Sequence, residues 1–131
     1  MIDSSIIQQV TDIFANLDSS YTLSAYISSE HESGAQMAEF LNDFATTSSH
    51  ISVEHHTATG NTLYFDLLKE GRPTGIAFRG IPNGHEFTSL LLAILNADGK
   101  GKNLPDEGIA RRIAALQGDI RLQTYISLSC T

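Results

Sequence analysis

Hydrophobic positions recur at two different spacings along this chain, and the switches between them mark out its elements. From Ser4 to Leu17, the residues Ile6, Ile7, Val10, Ile13, Phe14 and Leu17 share one face of a 3.6-residue repeat. That predicts an amphipathic helix with Ser4 or Ser5 as its cap. Tyr21 to Ile27 is rich in β-branched and aromatic residues and reads as a buried strand. After the polar connection Ser28-Ser29-Glu30-His31-Glu32-Ser33-Gly34, Met37, Phe40, Leu41 and Phe44 return to helical spacing, predicting a second helix from about Gly34 to Thr46. Ile51 to His55 alternates as a half-buried strand, and Thr57 to Asn61 reads as a loop.

The stretch from Leu63 to Leu95 organises the rest. Two apolar runs, Leu63 to Leu68 and Gly75 to Phe78, flank Lys69-Glu70-Gly71-Arg72, a connection that suits a β-hairpin. Past the turn cluster Gly80-Ile81-Pro82-Asn83-Gly84, the residues Phe87, Leu90, Leu91, Ile94 and Leu95 form the stripe of a third helix from Glu86 onward. A strand, helix, strand order requires a crossover and a parallel pair, whereas the hairpin adds an antiparallel pair. The fold class is therefore α/β: residues 1–97 are expected to form a mixed four-stranded sheet with helices on both faces, the thioredoxin-like arrangement.

Residues 98–104 then read as a Gly/Lys linker, and 105–131 as the start of a second, incomplete fold of the same kind. Pro105-Asp106-Glu107 suits a helix start, Ile109, Ile113 and Leu116 give a stripe, and Gly118 a stop. Ile120 to Leu128 alternates like a strand and leads to Cys130, so helix and strand repeat the order in which the chain began.

Composition narrows the function classes. The chain has 131 residues, 41% hydrophobic and 18% charged, values of a globular domain. Eight basic against fifteen acidic side chains give a formal charge of −7, which disfavours nucleic acid. No run approaches the roughly 20 apolar residues of a membrane helix, and the first residues lack the pattern of an export signal, so the expectation is a cytoplasmic protein without membrane contact. The single cysteine, Cys130, excludes an intrachain disulfide and a multi-cysteine zinc site within these residues. His31, His50, His55, His56 and His85 carry no ligand spacing, and adjacent histidines on a strand face opposite ways. Gly99-Lys100-Gly101-Lys102 lacks the Ser/Thr and preceding strand of a phosphate loop and reads as a solvated linker, as Arg111-Arg112 reads as a solvated helix face.

Two runs carry a resemblance. Gly80-Ile81-Pro82-Asn83-Gly84-His85-Glu86-Phe87-Thr88-Ser89-Leu90 and Thr124-Tyr125-Ile126-Ser127-Leu128-Ser129-Cys130 together resemble the N-terminal domain of the alkyl hydroperoxide reductase F-subunit family. The resemblance implies two fused thioredoxin-like folds, the first without redox cysteines and the second carrying Cys-x-x-Cys. It further implies electron transfer from NADH through FAD and that dithiol to a peroxiredoxin, with both cofactors held by a flavin and nicotinamide-binding remainder rather than by this chain. On it, Cys130 is the first cysteine of the redox pair, and Glu86 is an acid near the dithiol, able to tune the thiol or relay a proton. A helix-start acid opposing the macrodipole explains Glu86 equally. Within the first fold, Ser28 to Glu32 stands where the dithiol would be, and Asn61-Thr62 where a proline would precede the next strand. The expected partners are thus the peroxiredoxin and the flavin domain, with a homodimer through the terminal strand as a further possibility. The chain itself, holding half a dithiol, is expected to be inactive. A redox-silent thioredoxin-like binding module is the alternative.

Overall fold

The structure, a computed structural model, describes residues 2–102 and 104–125. Its first helix, α1 (Ser4–Ile13), is capped not by a serine of the helix but by Asp3, whose carboxylate accepts from the Ser5 N–H. The helix stops four residues short of Leu17. Past Ile13 the bonds tighten to three-residue spans, Ala15 N–H to the Asp12 carbonyl and Leu17 N–H to the Phe14 carbonyl, and the N–H groups of Asp18 and Ser19 are then taken by the carboxylate of Asp98. Phe14 and Leu17 are still buried.

Strand β1 (Tyr21–Ser28) lies at the centre of the sheet, parallel to β2 (Ile51–Ala58) and antiparallel to β3 (Leu63–Lys69), which pairs with β4 (Arg72–Arg79). The spatial order is β2-β1-β3-β4. Helix α2 (Gly34–Ala45) supplies the crossover and α3 (His85–Ala97) follows the hairpin. The thioredoxin-like α/β sheet of the sequence reading is therefore present, with differences at the edges. β2 runs on to Ala58 because its parallel register with β1 holds through Ser28, absorbing the start of the expected loop. The hairpin connection is two residues rather than four: Glu70 and Gly71 both adopt positive φ (51° and 78°), the signature of a tight turn whose twist matches the strands. β4 is longer than Gly75 to Phe78 and accommodates a bulge opposite Leu67 and Leu68, where the Thr74 hydroxyl donates to the Leu67 carbonyl and Gly75 takes φ 86°.

One core holds the layers together. Tyr21, Leu23 and Ala25 of β1 and Phe65 and Leu67 of β3 meet Val10, Phe14, Met37, Phe40, Leu41, Phe44, Leu90 and Ile94. Alternate strand residues share a face, so these helical side chains all approach the same side of the sheet. Ring contacts confirm it: Phe44 of α2 lies 5.8 Å from Phe14 and 5.9 Å from Phe87, and Phe40 lies 6.0 Å from Phe87. The expectation of helices on both faces is corrected here. The short segment between β2 and β3 has no helix, so the opposite face, with Tyr26, Glu54, His56, Tyr64, Asp66 and Arg79, carries no helix among the described residues.

Gly34 starts α2 where no larger residue fits without a shift: a Cβ there would stand 3.0 Å from Ile27 Cγ2 and 3.3 Å from the Ser28 carbonyl. At the far end of the sheet, Asp98 closes the structure. Its side chain, fully buried, accepts from the Asp18 and Ser19 N–H groups and from the Tyr21 hydroxyl at 2.9 Å, with the Lys100 ammonium at 3.6 Å. Burial pushes the Asp98 carboxyl up, but the backbone donors, Tyr21 and Lys100 outweigh it and hold the group below the ordinary carboxylate range. Burial first, then the bond to Asp98 and its charge, raise the Tyr21 phenol. Lys100 also pairs with Asp18 at 2.7 Å, Gly99 takes φ 76°, and the Lys100 N–H reaches back to the Leu95 carbonyl, a glycine-terminated helix end. The root of the expected linker is thus fastened to the first fold, and Lys100 is not simply solvated.

Beyond it, α4 (Glu107–Ala114) is capped by Asp106, which accepts from Ile109 N–H. Its stripe of Ile109, Ile113 and Leu116 is exposed. Residues 120–125 form no ladder among the described residues, and the rest of the expected strand, Ile126 to Leu128, lies outside them. An alternating pattern becomes a strand only where a neighbour supplies backbone partners.

Two outcomes follow from this packing. Asp98 binds fewer protons folded than unfolded, so its contribution is present above its unfolded pKa and is lost as pH falls through the lower folded one. Denaturant unfolding of Asp98→Asn should show a loss of about 1–3 kcal/mol at neutral pH and a weaker acid-side decline than the parent. Gly34→Ala should cost about 1–3 kcal/mol by the same measurement, because Ile27 and the β1 terminus must give way.

Candidate functional site

β1 and β4 run in the same direction, so the turn after β1 and the start of α3 come out at the same end of the sheet. The turn is self-contained. The Ser28 N–H donates to the Thr62 carbonyl at 2.9 Å, tying it to the residue before β3, and the Ser28 hydroxyl accepts from Glu30 N–H. His31 Nδ1 accepts from the Ser33 N–H, and Gly34 N–H reaches the His31 carbonyl. Ser28 is buried, and no base lies in hydrogen-bond reach of its oxygen among the described residues. The stretch Ser28 to Glu32 holds no thiol, and the Ser28 hydroxyl is used to hold its own backbone.

Glu86 stands in the first turn of α3, half-buried, with its N–H bonded to the Asn83 carbonyl. The turn before it demands glycine: Gly84 takes φ 57°. Phe87, next in sequence, stacks its edge on Phe40 and fixes the start of the helix. No side chain bonds the Glu86 carboxylate among the described residues, leaving it poised at the end of the sheet where the redox turn would lie. Cys130 lies outside the described residues, so the structure does not bring the two sequence-predicted site residues together.

The histidines have other partners. His50 Nδ1 lies 3.2 Å from the Ser19 carbonyl, His55 Nε2 lies 3.0 Å from Asn42 Oδ1, and His56 Nε2 lies 3.1 Å from Ser24 Oγ. Among the described residues no three metal-ligating side chains converge.

The feature that sequence reading missed is on the bare sheet face. Arg79, Tyr64, Tyr26 and His56 occupy one row across β4, β3, β1 and β2. The Arg79 guanidinium lies 5.1 Å from the Tyr64 ring, Tyr64 stacks on Tyr26 at 5.0 Å, and Tyr26 stacks on His56 at 4.6 Å. Tyr26 and Tyr64 stood at expected strand positions, whereas His56 and Arg79 lay one residue past the expected strand ends, and only the register aligns the four.

Comparison with known proteins places this geometry. No protein-family model matches the chain. It is 32% identical over 130 residues to the F subunit of alkyl hydroperoxide reductase from Staphylococcus epidermidis, covering 99% of this chain and 25% of that protein. It is 39% identical over 94 residues to a protein named NADH dehydrogenase of Ferdinandcohnia aciditolerans, covering 72% of this chain and 18% of that one. The solved NTD_N/C domain of alkylhydroperoxide reductase AhpF from Enterococcus faecalis superposes with a TM-score of 0.77 at 30% identity, covering 89% of this chain and 62% of that one. The chain spans about a quarter of the length of the first relative. Matched in sequence along nearly its whole length and in fold to a solved part of such a protein, this chain is a homologue of the N-terminal domain of the alkyl hydroperoxide reductase F subunit.

Proposed function

We propose that this chain is the N-terminal electron-transfer and docking module of a flavin-dependent disulfide reductase, one that passes electrons from NADH to a peroxiredoxin in peroxide detoxification. The observation that carries this reading is the similarity to the reductase F subunit over 99% of the chain. Because that similarity covers only 25% of the relative, FAD and NADH are assigned to the remainder of a longer protein, and the flavin domain and the peroxiredoxin are its partners. Among the described residues no helix is long and apolar enough to cross a membrane, and the place of action we propose is the cytoplasm.

In this reading the first fold binds and positions, and Cys130 begins the reacting pair. The Cys130 thiolate attacks one sulfur of the partner's disulfide, forming a mixed disulfide and releasing the other sulfur as a thiolate. A second thiol then attacks Cys130, releasing the partner's remaining sulfur, so two electrons pass to the partner as the dithiol closes. On the resemblance to the F subunit, that second thiol is the other cysteine of a Cys-x-x-Cys begun by Cys130. Glu86, at the exposed end of α3, is the acid that would face this pair. A carboxylate near the thiol disfavours the thiolate and raises its proton affinity, and it offers a site for the proton released.

The second reading, a redox-silent binding module, is favoured by the turn after β1, where Ser28 to Glu32 carries no thiol and the Ser28 hydroxyl is used structurally. In either reading Ile120 to Leu128 has the pattern of a strand that seeks a partner edge, and pairing between two copies is one way to supply it.

Two measurements bear on these assignments. The 131-residue polypeptide should oxidise no NADH in the presence of a peroxiredoxin and peroxide, and measurable turnover would overturn the division of labour. In the longer protein, Glu86→Gln should lower the pKa of the Cys130 thiol, read by the pH dependence of its alkylation rate; an unchanged profile removes Glu86 from the site.

A further inference from the structure

We propose that the bare face of the sheet docks an arginine-bearing polypeptide segment of a partner protein. The face is organised in rows. The first is the cation and ring row Arg79, Tyr64, Tyr26 and His56. Two residues further along the strands, on the same face, the register sets Ala77, Asp66, Ser24 and Glu54 side by side. Asp66 is half-buried at the centre of the sheet and makes no hydrogen bond or ion pair among the described residues. Glu54 lies 3.4 Å from His56 at the outer strand. The hydroxyls of Tyr26 and Tyr64, both half-buried, likewise have no partner among the described residues.

This combination selects the chemistry of the occupant. A carboxylate partly withdrawn from water gains most from a donor that is charged and planar, and a guanidinium satisfies it with two parallel bonds. Rows two residues apart lie about 7 Å from one another along the strand, so a guanidinium bonded to Asp66 keeps its stem within reach of the tyrosine rings. The faces of Tyr64 and Tyr26 are already covered by Arg79, by one another and by His56, so the incoming stem meets the ring edges and hydroxyls. Arg79 keeps an incoming cation away from its own end of the row. The formal charge of −7 draws basic segments to the protein as a whole. Tyrosine and arginine are also the residues most often found to dominate interface energies. The inference stands apart from the redox reading, because docking on this face uses neither Cys130 nor Glu86.

The test uses the 131-residue chain and a nonapeptide of alternating arginine and glycine, with lysine and glutamate versions as controls, followed by nuclear magnetic resonance of the Tyr26, Tyr64 and His56 ring protons. The arginine peptide should shift these signals in a saturable way, the lysine peptide should bind several-fold more weakly and the glutamate peptide should leave them unmoved. Asp66→Asn should weaken arginine-peptide binding about tenfold. The exposed Glu54→Gln should weaken it less, and this second variant keeps the test open should the first not fold. Unchanged affinity in both variants, or shifts confined to another face, overturns the proposal. So does a dimer that protects the same rings, or preferential binding of oligouridine to the row.

Discussion

The ring of Phe44 is the point on which this fold depends. It lies against Phe14 after α1, Phe40 on its own helix and Phe87 at the start of α3, so three segments far apart in sequence share one desolvated contact. The sheet beneath is held by its ladders, but nothing in a ladder determines where the helices sit. Burial of large aromatic surface on one side does. The buried apolar side chains of β1, β3 and the first three helices are directed there, and the central rows of the other face carry polar groups and stacked rings.

That asymmetry separates what the sequence discloses from what it does not. The helix α2 was readable residue by residue, because Met37, Phe40, Leu41 and Phe44 repeat at a period no strand could use. The parallel and antiparallel pairs were readable from element order alone. The side on which α1 packs was not, since its stripe says only that something covers it. The ends of elements are tied to distant partners: just past α1 the N–H groups of Asp18 and Ser19 are held by Asp98, a contact spanning about eighty residues. Likewise β2 gains three residues from its register with β1.

The candidate site shows the same division. Glu86 could be placed at a helix start from Gly84 and the stripe that follows, and Ser28 at the end of a strand. Neither the tight turn that spends the Ser28 hydroxyl on its own backbone nor the row of Arg79, Tyr64, Tyr26 and His56 had a local signature. A cross-strand row exists only once the register is known, and the register depends on the two-residue turn at Glu70-Gly71 and on the bulge near Thr74. The serine at the end of β1 is therefore legible in a single position, whereas the surface is written in alignments.

The fastening at the end of α3 has a mechanical consequence. Gly101 passes beneath Asn96 so closely that a Cβ at this position would overlap the amide oxygen, at 1.6 Å, so the chain is guided by contact for one residue beyond the Lys100 ion pair. Rotation of whatever follows is then pivoted after Gly101 rather than at the helix end. A short tether mounted on a fixed post sweeps a narrower arc than a free one of the same length, and a unit carried on it would search for its partners from a restricted set of directions.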